Sequence, residues 1–117
     1  MRKKLDYEYC SASPILEWLG DKWALVVLLK LHENGVIRFN ELYKAIPSIS
    51  EKMLSIVLRS LVTDGLVSRK IYPSVPPKVE YYISEFGETL IPHLEHLKQW
   101  GQENFETIMD NRKRNKY

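Results

Sequence analysis

The most regular apolar and polar pattern of the chain lies between Ser50 and Gly65. Its apolar positions recur at the spacing i, i+3, i+4 and i+7 and are Leu54, Val57, Leu58 and Leu61. At about 100° per residue, the opposite side of the same helix carries Lys52, Ser55, Ile56, Arg59 and Thr63. The pattern therefore predicts an amphipathic helix with a buried leucine stripe and an exposed face that is polar and cationic.

Two helices are predicted near the amino terminus. Ser13-Pro14 is typical of a helix start, so a short first helix is expected over Ile15–Leu19, and Gly20 ends it. Asp21 is expected to cap a second helix that closes at Asn34-Gly35. Because this second helix is apolar on nearly every side, it is the predicted centre of the core.

A third helix and a tight break precede the amphipathic helix. Asn40 is expected to cap a helix over Glu41–Ile46, which Pro47 stops. The break that follows runs from Pro47 to Ser50. Two helices joined by such a break, the second with a cationic outer face, form the helix-turn-helix pattern.

Two strand-like runs rich in Val, Ile and Tyr follow, Leu66–Tyr72 and Val79–Ile83, and predict a hairpin. The loop between them holds Pro73, Pro76 and Pro77, which lack an N–H and restrict the backbone. We interpret this loop either as a rigid turn that only joins two strands or as a preorganised wing that meets DNA. The segment 36–38 is long enough for only a single edge strand.

Ser84 is expected to cap a last helix whose apolar stripe persists for about five turns. The stripe consists of Leu90, Leu94, Leu97, Phe105 and Ile108, with Ile91 and Trp100 beside it. Pro92 lies inside this run and is expected to kink the helix or to shift its start. From Asn111 the chain is polar and basic, and residues 111–117 are expected to be frayed and disordered.

Charge is distributed unevenly along a chain whose net charge is only +2. Residues 36–83 hold seven bases and four acids, whereas residues 84–110 hold one base and six acids. A polyanion would be attracted to the middle of the chain and repelled by the last helix. With 117 residues, the chain is expected to form one domain, 1–117, with a core of about residues 10–101.

Several function classes find no support in the sequence. A glycine-rich phosphate loop, a nucleophile elbow and paired carboxylates are all absent from it, so neither an enzyme nor a cofactor is expected. His93 and His96 offer two ligands on the last helix, which is too few to predict a metal site. The longest apolar run, Trp23–Leu29, is too short to cross a bilayer, and no signal peptide is recognised, so a cytoplasmic location is expected.

Cys10 is the single cysteine and cannot form an internal disulfide. Most single cysteines are small buried hydrophobes. A partly exposed cysteine near Lys3 and Lys4 would instead carry a reactive thiolate, so both interpretations stay open.

The cationic helix and the basic hairpin together favour DNA binding over a face that is merely solvated. The residues expected to read bases are Lys52, Ser55, Ile56 and Arg59. Phosphate contacts are expected from Ser50, Arg38 and Asn40, and wing contacts from Arg69, Ser74 and Lys78. The alternative from a different class is a winged helix that binds protein and not DNA.

The chain resembles the HxlR-type family of bacterial winged-helix transcriptional regulators, which are relatives of the MarR group. The matching segments, within about residues 10–101, are Cys10 thirteen places before Trp23, Gly20–Trp23, Arg38–Leu42, Ile46–Leu54, Leu58-Arg59, Leu61, Asp64–Val67, Tyr72–Tyr81, Gly87 and Trp100-Gly101. The chain differs from the family at three positions. The family usually has Pro at the position of Ser11 and Gly at that of Asp21, and it often has Gly at that of Ser48. The resemblance implies a mainly α fold with a small β-hairpin: a winged helix-turn-helix domain with added N- and C-terminal dimerisation helices.

The resemblance also implies a homodimer on double-stranded DNA. Its interface is expected to include Ile15, Leu19, Leu94, Leu97, Trp100, Phe105 and Ile108. Two recognition helices would then read a pseudo-palindromic operator, and we expect repression by promoter occlusion. Some members of the family sense oxidants or electrophiles through the cysteine that matches Cys10, so an oxidant or small-molecule inducer is a further hypothesis.

Overall fold

The computed structural model describes residues 22–115. The elements are α1 (Lys22–Asn34), β1 (Ile37–Arg38), α2 (Phe39–Ala45), α3 (Glu51–Thr63), β2 (Val67–Tyr72), β3 (Lys78–Ile83), α4 (Glu85–Glu88) and α5 (Ile91–Arg114). The first predicted helix and the Asp21 cap lie outside the described residues. The structure is mostly helical with one small antiparallel sheet, which confirms the predicted fold class.

Helix α1 lies at the centre of the core, as its apolar sequence predicts. Val27, Leu28 and Leu31 are fully buried and belong to one cluster with the leucine stripe of α3. The helix closes at Gly35, whose N–H donates to the Leu31 carbonyl at 2.9 Å and whose φ is +74°. A residue without Cβ adopts this left-handed conformation at the least cost.

Helix α2 begins earlier than predicted, and the assignment of Asn40 as its cap is wrong. The N-cap is Arg38, whose backbone N–H donates to Oε1 of Glu41 at 3.2 Å. The Glu41 carboxylate, three residues further along the chain, thus satisfies a free N–H at the start of the helix. The general preference for Asn or Ser as caps does not predict this arrangement. The turn after α2 places Ser48 at φ +72°, which explains why glycine suits this position.

The strands form a three-stranded sheet in the order β1-β3-β2, so the predicted hairpin and edge strand are confirmed. Register pairs Val67 with Ile83 and Lys70 with Glu80, while Arg38 of β1 also lies opposite Glu80. Val67 and Ile83 are buried, so their face of the sheet covers the core. Because successive side chains alternate between faces, Arg38, Lys70 and Glu80 share the outer face.

The end of the fold is built from two helices and not one. Ser84 accepts a hydrogen bond from the Gly87 N–H at 2.9 Å and so caps the single turn α4. The long helix α5 starts at Ile91 with Pro92 in its first turn, which confirms that proline shifts the start of the helix. Helix α5 continues through Arg114, so the prediction that the chain is frayed from Asn111 is wrong for residues 111–114.

Gly87 is required by the close approach of α4 to the chain just before β2. A Cβ at this position would overlap the carbonyl oxygen of Leu66 and lie 2.8 Å from Cγ2 of Ile83.

We expect Gly87→Ala to lower the free energy of unfolding by about 2 kcal/mol, because the backbone must move to admit the methyl group. Urea unfolding at fixed protein concentration measures this. Glu88→Ala, at the exposed neighbouring position, is the control, and equal stability of the two variants would contradict the expectation.

Candidate nucleic-acid interface

Helix α3 presents a cationic face because its apolar stripe is fixed in the core. Leu54, Leu58 and Leu61 are buried, and the Ser50 hydroxyl caps the helix by accepting the Met53 N–H at 3.0 Å. The predicted base-reading residues Lys52, Ser55, Ile56 and Arg59 are all exposed. Ile56 exposes 51% of its surface, an unusual apolar position between two cations.

Within residues 22–115, no carboxylate forms an ion pair with the cations of this face. In the part of the chain that the structure describes, ion pairs join Lys30 and Lys98 to Glu33, His32 to Glu95, and Lys78 to Glu80. None of these pairs involves Lys52, Arg59 or the wing residue Arg69. Their charges can therefore bind an external anion without first breaking an ion pair in the described residues.

The dimensions of the face suit the major groove. Lys52 and Arg59 are seven residues apart, which is about 10 Å along a helix axis. This distance corresponds to about three base pairs, and the groove is wide enough to admit a helix. The guanidinium and ammonium groups can donate to guanine O6 and N7, and Ile56 can contact a thymine methyl.

The predicted phosphate-binding residues of α2 lie beside the wing. Arg38 and Asn40 are exposed and line an open cleft of about 470 Å³ together with Pro77 and Val79 of the hairpin. The base of the wing and the start of α2 therefore form one continuous surface. Ser50 lies at the start of α3. Its side-chain oxygen accepts the capping hydrogen bond from the Met53 N–H, and its hydroxyl proton is available to a phosphate.

The wing loop is held by its own hydrogen bonds. The Ser74 hydroxyl donates to the Pro76 carbonyl at 2.8 Å, and the Ser74 N–H donates to the Tyr72 carbonyl at 2.8 Å. Val75 at the tip is completely exposed. The hydroxyl proton of Ser74 is used within the loop, so this residue shapes the wing, and its contact with phosphate stays a prediction.

The three wing cations differ in their surroundings, which the sequence does not reveal. Nζ of Lys78 lies 3.4 Å from Oε2 of Glu80 and 4.9 Å from the centre of the Tyr72 ring. Nζ of Lys70 lies 5.0 Å from the same ring. Arg69 lies on the opposite face of the hairpin, because it pairs with Tyr81 in the register of the buried Val67 and Ile83. Of these three cations, Lys78 is already paired with a carboxylate, whereas no ion pair within residues 22–115 involves Arg69 or Lys70.

Glu80 is kept ionised by its neighbours. The Tyr72 hydroxyl donates to Oε1 of Glu80 at 2.9 Å. This hydrogen bond is the largest cause that lowers the pKa of Glu80 below its ordinary value. Desolvation opposes it, and the hydrogen bond and charge of Lys78 and the charge of Lys70 lower the pKa further. The wing therefore carries a fixed negative charge among its bases at neutral pH.

Helix α5 exposes a line of large apolar side chains. Leu97, Trp100 and Phe105 are 52%, 56% and 58% exposed, and Ile108 is half-buried. Leu94 does not fit its predicted place in a dimer interface, because it is only 3% exposed and packs in the core of its own chain. The other two predicted interface residues, Ile15 and Leu19, and also Cys10, lie outside the described residues.

No group of three or more His, Cys, Asp and Glu side chains within residues 22–115 is placed to hold a metal ion, and His93 and His96 are exposed. Of the helices in this range, none has the length and apolar character that a membrane span requires.

A capped cationic helix after a tight turn, followed by a basic hairpin, defines a winged helix-turn-helix DNA-binding protein. The chain belongs to the HxlR-like helix-turn-helix family, whose sequence model matches residues 18–109. It is accordingly a DNA-binding transcriptional regulator.

Comparison with individual relatives supports this assignment. An uncharacterized HTH-type transcriptional regulator of Bacillus subtilis (strain 168), YdeP, is 44% identical over 103 residues, which are 88% of this chain and 80% of YdeP. The oxidized form of the redox regulator HypR is 42% identical, with a TM-score of 0.73 over 81% of this chain and 97% of HypR. The reduced form of the transcriptional regulator YodB from B. subtilis is 30% identical, with a TM-score of 0.69 over 80% of this chain and 90% of YodB.

Proposed function

We propose that the protein is a cytoplasmic homodimer that binds a pseudo-palindromic operator and represses transcription by occluding a promoter. The observation that carries this proposal is the cationic face of α3, which pairs with no carboxylate of residues 22–115, on a chain whose α5 exposes a separate apolar surface. Base readout is assigned to Lys52, Ser55, Ile56 and Arg59. Backbone contacts are assigned to Ser50, Arg38, Asn40 and Arg69.

The apolar surface of α5 supports dimerisation. Three large side chains more than half exposed on one helix form a patch that monomeric proteins seldom leave in water. Beside them an open groove of about 530 Å³ is lined by Lys98, Gly101, Gln102 and Phe105. Among the described residues, no atom beyond the neighbouring positions of its own helix lies within 4 Å of a Cβ built on Gly101, so a second helix can approach the backbone closely there.

A two-fold dimer predicts the geometry of the operator. Two copies of α3 related by a two-fold axis would enter the major groove one helical turn apart, about 34–36 Å, on the same side of the DNA. Footprinting on the DNA upstream of the gene tests this arrangement. We expect two protected half-sites with inverted sequence and two chains bound per site; a single half-site bound by one chain would refute it.

Repression requires its own measurement. Because a bound dimer would cover at least one helical turn of promoter DNA, polymerase access should be blocked where the operator overlaps the promoter. Transcription in vitro from the upstream DNA is expected to fall as the protein is added. An increase in transcript would assign the protein to activation.

A redox-responsive version of this function is favoured by one comparison. HypR, 42% identical to this chain, is described as a redox regulator and has been solved in its oxidized form. This chain carries one cysteine, Cys10, close in sequence to Lys3 and Lys4. Nearby positive charge favours the thiolate, which is the reactive form.

We expect diamide or a quinone to release operator DNA from the wild-type protein but not from Cys10→Ser. Fluorescence anisotropy of labelled operator, before and after addition of the oxidant, measures the release. Reversal by dithiothreitol separates thiol oxidation from general damage. Equal release from both proteins would exclude Cys10 as the sensor and leave DNA binding itself unaffected.

A further inference from the structure

Glu80 is the only carboxylate between residues 66 and 83, and it lies in the middle strand of the basic wing. On one side it faces Arg38 and on the other Lys70, according to the strand register. Its carboxylate is 3.4 Å from the ammonium of Lys78. One acid is thus surrounded by three bases on the outer face of the sheet.

The Glu80 carboxylate is held in this position from a second direction. The Tyr72 hydroxyl donates to one oxygen while Lys78 approaches the other. The Tyr72 ring also lies about 5 Å from the ammonium groups of both Lys70 and Lys78, so ring, acid and bases form one cluster. Only 20% of the Glu80 side chain is exposed, which reduces the screening of its charge by solvent and salt.

We propose that Glu80 is an internal competitor for DNA phosphate, which holds Lys78 in the free protein and so limits the affinity of the wing. The inference rests on the proposed DNA contacts of the wing. A phosphate that recruits Lys78 must replace the Glu80 carboxylate and approach a second negative charge. Lys78 therefore contributes less than one full phosphate contact as long as Glu80 is ionised.

Glu80→Gln is the informative substitution, because an amide oxygen still accepts the Tyr72 hydroxyl while the charge is lost. If Lys78 of each protomer is freed to neutralise one phosphate, the slope of log affinity against log salt steepens by about 1.8 for the dimer. The affinity at 50 mM salt should then rise roughly tenfold per protomer, or about a hundredfold for the dimer, relative to wild type. Tyr72→Phe, which removes only the hydrogen bond that fixes the carboxylate, should shift affinity in the same direction by less.

A control substitution and a double-mutant cycle of Glu80 and Lys78 separate a local effect on DNA affinity from the effect of net charge. Glu106→Gln on α5 changes the net charge equally but lies far along the chain from the wing, and we expect less than about a threefold change from it. Lys78→Ala, which changes both protomers, should flatten the salt slope by about 1.8 in the Glu80→Gln background and by clearly less in the wild-type background.

Each result of this experiment decides the inference. Equal affinities of Glu80→Gln and Glu106→Gln would overturn the inference. Weaker binding by Glu80→Gln would also overturn it, because Glu80 would then be orienting Lys78 towards DNA. If wild type binds operator with the expected salt dependence and Glu80→Gln does not differ, only this inference fails. If wild type does not bind at all, the proposed function fails instead.

Discussion

Replacing Arg59 by alanine is expected to lower the affinity for the operator about a hundredfold and to relax base preference at one position of each half-site. Arg59 is exposed on α3, and no carboxylate within residues 22–115 is paired with it. A bidentate contact between arginine and guanine contributes about 1–3 kcal/mol of discrimination, and a dimer loses two of them. Anisotropy titrations against the operator and against single-base variants measure both effects.

Arg112→Ala provides the matched control for Arg59→Ala. It removes the same side chain and the same charge from an exposed position near the end of α5, away from the helix-turn-helix. We expect its affinity to remain within about threefold of wild type at physiological salt. If the two variants lost affinity equally, with base preference unchanged, Arg59 would be acting through overall charge and not through a base.

Phe105→Glu is expected to convert the dimer to a monomer and to weaken operator binding by about 10²–10⁴-fold. Phe105 is 58% exposed in the single chain, so the substitution leaves the core intact. In a dimer it would bring an unpaired charge into an apolar contact. The two half-sites would then be bound independently, without the effective concentration that linkage provides.

Light scattering after gel filtration gives the mass of each variant, and anisotropy gives its affinity. Phe86→Glu is the control, because Phe86 is 63% exposed but lies on the short helix α4 and not on α5. We expect Phe86→Glu to remain dimeric. A dimeric Phe105→Glu variant with unchanged affinity would place the subunit interface elsewhere.

The elements that follow from local rules were predictable from the sequence. The stripe of Leu54, Leu58 and Leu61 is predicted correctly because it depends only on helical periodicity. The hairpin was predicted to within one residue because β-branched and aromatic runs flank a proline-rich loop. The general location of the cationic face followed from the same periodicity.

Features that depend on packing or on pairing between strands were not predictable. Leu94 and Leu97 lie on the same stripe in sequence, yet only Leu94 is buried in the core of its own chain. Arg69, Lys70 and Lys78 are equivalent as a basic cluster in sequence, whereas strand register places Arg69 on one face and the two lysines on the other. The pairing of Lys78 with Glu80 required the folded hairpin.

The central claim is that the cations of α3 and the wing bind DNA. The dependence of operator affinity on salt tests this claim most directly. With about three phosphate contacts per protomer, the affinity of wild-type protein for the DNA upstream of its gene should fall roughly a thousandfold between 50 and 200 mM salt. Absence of a complex at 50 mM salt, or an affinity that does not change with salt, would contradict the account and favour a winged helix that binds protein.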